Sequence, residues 1–437
     1  MKSRWTTLAA RCIAALWIPF AGCAQEPAEA GDSSVLYTAA LADTLLMGSA
    51  DNAEVVRQIP GSNRALLVSS KARKITLLEV LDEGLQIVDE AALFPEDPSE
   101  SELTNAAVSS DGGWAARSRT LLSSDYDGAQ IACEGELVFV DLAPGEGFGE
   151  ILSTIAVGAM PDSVALSDDD QWAASADERD GTDAWGKCDV AGTEASVTLV
   201  DLSAGPTAPE LAGKVWMVDG TSGPREPEDL VFSADGERIL VTLQDSHEVA
   251  LLSRAEIQTS RTITSDEITL VALPPNAIGA LPWPDGIARF NDAAGAEHFA
   301  VAGEWNDTIL ILDAGGEVIQ NLPLALGDIP ETLPRVEDEG VPQFSPDSIA
   351  AFEHEGRAHI AVTLRHSGAI ALWDVSAPSA PVFCMAIGVG QSEQGDADED
   401  GSTIRPEGIA ASPDGSWLLT ANEEESSVSL VQGIHGD

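Results

Sequence analysis

The sequence predicts an all-β fold, a β-propeller most simply counted as seven four-stranded blades with the ring closed by an N-terminal strand. Three observations lead there. First, a unit of about sixty residues recurs: the anchors Thr104, Pro161, Pro227, Pro284, Pro346 and Pro406 lie 57, 66, 57, 62 and 60 residues apart. Second, each unit holds three short apolar or alternating runs broken by Asp-Gly or Ser/Asn turns, usually followed by a fourth run. Period two, β-branched residues and turn residues between the runs are the pattern of strands. Third, no helical stretch separates the runs, and repeats of four short strands without helices are propeller blades. A β-sandwich would not explain the fixed order of anchor, turn and paired strands in every unit. Six or eight blades are the neighbouring counts.

Residues 1–22 read as a signal peptide. Lys2, Arg4 and Arg11 form a positive start, and the apolar run 12–22 is too short to span a bilayer. The segment ends Phe20-Ala21-Gly22-Cys23, which resembles a bacterial lipobox, although Phe20 stands where that pattern usually has Leu. The resemblance implies lipidation of Cys23 and a lipid-anchored protein of the bacterial cell envelope, in the periplasm or on the outer surface. Cleavage without lipid, giving a secreted soluble protein, is the alternative. Residues 23–50 then form a polar tether (24–34) and an apolar run (35–41). That run can supply the outer strand missing from the last unit, which stops near Gln432. Pairing the two ends leaves no open sheet edge. The propeller proper is residues 51–437.

The units follow in order. Residues 53–80 contain the first, with ALLVSS and KITLLEV as strands. Thr104 opens the second (TNAAVSSDGGWAARS, then GELVFVDL) and Pro161 the third (PDSVALSDDDQWAASAD, then ASVTLVDL). Pro227, Pro284 and Pro346 begin three more, and Pro406 begins the clearest, PEGIAASPDGSWLLTANEEESSVSLV. Trp114, Trp172 and Trp417 recur at the start of the second strand, a position suited to core packing. The last unit resembles the YVTN-type propeller repeats of bacterial secreted and surface proteins, with their Ser-Pro-Asp-Gly turn and Ala-Asn strand end. Middle units lack that turn, and Glu304 or Arg365 replaces the Asn. The resemblance implies a seven-bladed propeller with a ligand- or partner-binding role, and it implies no reaction.

The chain has 437 residues, 44% of them hydrophobic, enough for a sizeable core. Its 73 Asp and Glu against 22 Lys and Arg give a formal charge of −51. Nucleic acid and anionic membrane surfaces are polyanions and would repel it. The charge favours cations as partners, and it also keeps an exported protein soluble.

No nucleophile elbow, His-Glu-x-x-His, phosphate loop or Cys-x-x-Cys occurs. The histidines are scattered, with His247 and His366 in turns expected to face solvent and His354 and His359 flanking a strand turn. Cys133 and Cys188 lie 55 residues apart in similar insertions of successive units, so a disulfide between them is expected in an exported protein. Cys384, in an apolar run, is expected to be a buried thiol.

Acids supply the candidate sites. The residue after the anchor proline is acidic in five units: Asp162, Glu228, Asp285, Asp347 and Glu407. Equivalent blades would bring these carboxylates to the channel on one face, where they need a counter-cation or raised pKa values. Pro284-Asp285-Gly286-Ile287 is similar to the segment that supplies a metal-ligand Asp in the senescence-marker/gluconolactonase family, which implies a metal there. Strand-end residues Asp177, Glu178, Asp245, Glu304, Arg365 and Glu423 are expected to line the same region, with Arg365 able to pin a neighbouring carboxylate. Separately, residues 396–407 fit the calcium-loop pattern Asp-x-Asp-x-Asp-Gly-x5-Glu. Asp396, Asp398 and Asp400 are alternate ligands, Ser402 offers a carbonyl and Glu407 closes the site. A weaker echo runs through Ser123, Asp125, Asp127 and Glu134. The functional expectation is an extracytoplasmic propeller lipoprotein that binds a protein or small ligand on a loop face and takes calcium as its cofactor. The alternative is a metal-dependent lactone or ester hydrolase with its ion held by the channel acids.

Overall fold

The structure is a computed structural model and describes residues 37–48, 52–95, 100–122, 133–178, 195–217, 225–263, 268–277, 279–324, 336–338, 341–390 and 404–436. All belong to one compact unit, Leu36–Asp437. The predicted Cys133–Cys188 bond, Cys23 and the leader, and both calcium loops except Glu134 and residues 404–407 lie outside the described side chains.

Seven antiparallel four-stranded sheets form the blades, six of them with these four strands in sequence order from the channel outward and the seventh completed by the N-terminal strand. Blade 1 begins with Ala53–Ile59 and Arg64–Ser69, blade 2 with Glu100–Val108 and Trp114–Leu122, and blade 3 with Pro161–Leu166 and Trp172–Asp177. Blade 4 begins with Pro227–Phe232 and Arg238–Leu243, blade 5 with Pro284–Asn291 and Glu297–Gly303, and blade 6 with Pro346–His354 and Arg357–Leu364. Blade 7 consists of Pro406–Ala411, Trp417–Asn422, Ser427–Gly436 and, as its outer strand, Tyr37–Leu46. The ring therefore closes through the N-terminal strand, as expected. That strand is longer than the apolar run suggested, and the third strand of blade 7 continues past Gln432 to pair with it, Tyr37 opposite Gly436.

Each blade is buried on both faces against its neighbours, which is why inner strands read as continuous apolar runs rather than alternating ones. Ala369–Asp374 is buried at every position. The core is accordingly divided into seven layers, one between each pair of adjacent blades. The layer that closes the ring joins Val56, Leu67 and Leu78 of blade 1 to Trp417, Leu419 and Leu430 of blade 7. Trp114 and Trp172 pack into such layers as well.

The turn from first to second strand carries the repeat's most regular chemistry. In blade 4 the Ser233 hydroxyl donates to Asp235 Oδ1 at 2.6 Å and accepts from Arg238 N–H at 3.0 Å, while Asp235 Oδ1 accepts from Glu237 N–H at 3.0 Å. Ser109/Asp111 and Ser167/Asp169 repeat the arrangement, and in blade 7 the Ser412 hydroxyl accepts from Trp417 N–H while Asp414 accepts from Ser416 N–H. The side chains replace backbone partners that a tight turn leaves unpaired.

Several details depart from expectation. A four-residue helix, Arg254–Ile257, interrupts blade 4, nucleated by a capping box between Ser253 and Glu256. The segment after it, Arg261–Ile263, adds a parallel fifth strand to the outer edge of blade 3. His366 is buried (8% exposed) rather than solvent-facing, because its turn tightens into the 3-10 helix Arg365–Ser367. Cys384 is half-buried, not buried, because it lies on the outer strand Val382–Gly388, which lacks a neighbour on its far side. Among the described residues no helix is long and apolar enough to cross a membrane.

Candidate functional site: an acidic chamber at the channel mouth

In all seven blades the register between first and second strands slips at the residue after the anchor. Such β-bulges bend the strand and re-aim a side chain. Here they turn one residue per blade into the channel. Asp162, Glu228, Asp285, Asp347 and Glu407 come together as predicted, and the ring is completed by two residues that sequence reasoning missed, Glu54 and Asn105. Glu54 follows Ala53 instead of proline, so the Pro-acid signal was absent. Aligning blade 1 on its first turn, after Ile59, rather than on an anchor proline would have found it. Room for the ring comes from small neighbours: a Cβ on Gly286 would lie 2.5 Å from the Asp347 carbonyl oxygen, and one on Gly408 2.6 Å from that of Glu54.

A second tier stands beside the ring at the ends of the second strands. Glu178, Gln244, Glu304, Arg365 and Glu423 each donate their backbone N–H to the residue preceding the anchor of the same blade, so they are equivalent positions. The first four line the chamber. Three strand-end expectations are corrected. Glu423 does not border the chamber and pairs with Arg405 at 3.4 Å. In blade 4 the tier residue is Gln244, one before Asp245. Asp177 is buried inside blade 3, where Ser175, Ser196 and Thr198 donate to it at 2.6–2.7 Å. In blade 7 Asn422 fills the same place among Thr420, Ser427 and Ser429.

The chamber is about 350 Å³ and, among the described residues, is lined by nine acids against two arginines, Arg57 and Arg365. Arg57 donates to Asn105 Oδ1 at 2.7 Å and to the Ala106 carbonyl at 3.0 Å. It also borders a second cavity of about 330 Å³ further along the channel, walled by residues such as Ala107, Val164, Leu230 and Ala351. Arg365 bridges three blades. Its Nη1 lies 2.8 Å from Glu304, its Nε 3.2 Å from Asp347 and its Nη2 2.9 Å from Glu407. The expectation that it pins a carboxylate is met three times over. Arg405 adds an ion pair to the same oxygen of Glu407 at 3.1 Å.

Charge is unevenly balanced around the ring. Burial, then the nearby Asp229 carboxylate, pushes Asp162 up to about 7. Burial first, then Glu178, Asp162 and Asp285, raises Glu228 well above the usual range. Asp285 is raised by burial and Glu304, with Arg365 opposing, and Glu54 by burial and Glu407. Among the described residues no three acidic, histidine or cysteine side chains converge as ligands of one metal ion. Glu134 is exposed on the strand Cys133–Asp141, away from the chamber lining.

No protein-family model matches the sequence, and neither does any curated protein. Solved structures do resemble it. A Kuenenia stuttgartiensis hydrazine synthase aligns with a TM-score of 0.56 at 13% identity, over 88% of this chain and 96% of that one. The Cps50 (Swd1) β-propeller domain of Myceliophteria thermophila aligns at 0.54 and 11% identity, over 91% of this chain and all of that one. A chain of a mitotic checkpoint complex aligns at 0.57 and 13% identity, covering 90% and 95%. At these identities the likeness establishes the fold alone, a seven-bladed β-propeller.

Proposed function

We propose that the protein is an extracytoplasmic binding propeller, tethered to the bacterial envelope through Cys23, whose acidic chamber receives a cationic group from a ligand or partner. The observation that carries this reading is the imbalance, among the described residues, of nine acids against two arginines around a half-open cavity at the channel mouth. Carboxylates that burial and mutual repulsion hold back from ionising gain most when a cation arrives. The YVTN-like last repeat and the WD40-like architecture support a binding role, since such propellers present rigid loop faces and a shaped central opening. A thermal-shift series on the mature protein with Ca²⁺, Mg²⁺ and organic amines, each against NaCl of equal ionic strength, tests it. The reading predicts stabilisation beyond the salt control by at least one cation, and no such shift with any of them removes it.

Calcium in the loop 396–407, through Asp396, Asp398, Asp400 and Ser402, is proposed beside that reading; Glu407, the fifth expected ligand, is held by Arg365 and Arg405 at 2.9 and 3.1 Å. Millimolar Ca²⁺ should raise Tm, and Asp398→Ala/Asp400→Ala should cancel the rise; equal melting of parent and variant with and without Ca²⁺ would discard the site.

A second reading, hydrolysis of a lactone or ester, draws on Asp162. A carboxylate near 7 beside Asp229 can take up a proton at neutral pH, as a general base must. Metal analysis followed by lactone and ester assays with and without chelator decides it: neither bound metal nor turnover leaves the binding reading alone.

A further inference from the structure

We infer that the side of the chamber formed by blades 3, 4 and 5 is a guanidinium-binding site, an inference that rests on the cation-receiving reading above. The template lies within the molecule. Arg365 occupies the strand-end position of blade 6, and its three carboxylate partners come from fixed places: the strand end of the preceding blade (Glu304), the ring position of its own blade (Asp347) and the ring position of the next (Glu407). Two blades back, the same three places hold Glu178, Glu228 and Asp285. All three line the chamber. The position corresponding to Arg365 is Gln244, which makes the same backbone bond, N–H to the carbonyl before the anchor. An arginine cage is thus repeated with its arginine replaced by a shorter, neutral side chain.

Glu228 supplies the independent sign of a missing partner. Only 9% of its surface is exposed, it borders the cavity, and among the described residues its carboxylate makes no hydrogen bond or ion pair. The strongest charges acting on it among the described residues are those of Glu178, Asp162, Asp285 and Glu226, all of its own sign. Leaving a buried carboxylate unpaired is costly, so the arrangement is stabilised by whatever cation enters. The chemistry favours a guanidinium over a metal ion. A metal needs its oxygens gathered at one point, and none of the described acids meet in that way. A planar guanidinium sends donors in three directions to carboxylates spread over three blades, as Arg365 does. The cavity, about 350 Å³, has room for a guanidinium with a short alkyl stem.

Calorimetric titration of the purified mature protein at fixed ionic strength tests this with methylguanidine, methylamine and Ca²⁺ as probes. Methylguanidine should bind at least about tenfold more tightly than methylamine. Glu228→Gln should abolish methylguanidine binding while melting at or above the parent temperature, because a repelled carboxylate is gone. Gln244→Arg, which fills the cage from within, should also abolish binding and raise Tm. Equal affinity for methylguanidine and methylamine, or binding of Ca²⁺ alone, overturns the guanidinium site and leaves the cation reading standing. Binding of none of the probes, together with no cation effect on melting, overturns both. Retained methylguanidine binding in both variants places the ligand elsewhere and overturns the inference. Agmatine and N-acetyl-arginine methylamide then separate the sources. Tighter binding of the first identifies a free small molecule, and of the second an arginine side chain of a protein partner.

Discussion

Two sets of acids recur at the two ends of the same innermost strands, and they are opposites electrostatically. At the far turns, Asp111, Asp169, Asp235 and Asp414 accept hydrogen bonds from serine hydroxyls and backbone N–H groups and are held below the ordinary carboxylate range. For Asp235 the Ser233 hydroxyl leads, followed by the Glu237 N–H. At the channel end, Glu54, Asp162, Glu228 and Asp285 are raised, chiefly by burial among one another. The residue type is shared and the repeat is shared. What differs is whether the acid meets a donor of its own blade or a carboxylate of the next. A turn acid completes local structure, whereas a channel acid is left with a demand that only a cation can meet.

The largest test of that contrast removes the internal cation that meets the demand across three blades. Arg365→Met leaves Glu304, Asp347 and Glu407 facing each other, and breaking a buried pair in this way costs about 3–5 kcal/mol. Urea unfolding should show a loss of that order, and a loss below that of a surface substitution would mean the chamber is already solvated enough to screen the charges.

The pH dependence should split the two sets. For Asp162 the folded-state value is about 7 and the unfolded value 3.8, so between those values the folded protein holds a proton that the unfolded chain releases. Stability therefore falls as pH rises from about 4 to about 7, by at most about 1.4 kcal/mol per pH step of one across that window, and by less where water screens the site. Glu54, Glu228 and Asp285 act in the same direction. The turn acids act in reverse, losing their contribution as pH drops below the ordinary Asp value. Melting at pH 5 should exceed melting at pH 7.5 and then decline toward pH 3; a monotonic rise from pH 3 to 7.5 would show the channel acids to be ionised in the fold.

A third variant asks whether burial alone can be undone. Arg117 is fully buried in blade 2, its three guanidinium nitrogens make no hydrogen bond among the described residues, and burial lowers its pKa to about 9 against the attraction of Glu54. Arg117→Met should stabilise by about 1–3 kcal/mol, because an unsatisfied buried donor is replaced by a side chain of similar length. Destabilisation would instead identify Arg117 as the counter-charge that Glu54 depends on.

The smallest effect belongs to a turn. Asp235→Ala removes the acceptor for Ser233 and the Glu237 N–H and should cost about 0.5–1.5 kcal/mol by chemical denaturation, with no change in cation binding. A change in binding would mean that the two ends of the strand are not independent.

Much of this architecture was legible in the chain. Strand grammar, the spacing of Thr104, Pro161, Pro227, Pro284, Pro346 and Pro406, and the apolar run near the N-terminus determined a ring of four-stranded blades and the way it closes, because these depend on local pattern and on the need to bury both faces of every sheet. The acids after the anchors were legible for the same reason, as was the sign of Arg365. The chain could not reveal that every blade bulges at that position, since a register slip is a relation between two strands. Nor could it reveal that Glu54 joins the ring, that Gln244 rather than Asp245 faces inward, or that Asp177 is satisfied by three hydroxyls while Glu228 has no partner among the described residues. Those outcomes rest on distances between residues from different blades, and charge–charge energies follow distance and burial rather than order along the chain. Only the closed ring brings Glu304, Asp347 and Glu407 around one arginine and sets Gln244 at the matching place among Glu178, Glu228 and Asp285.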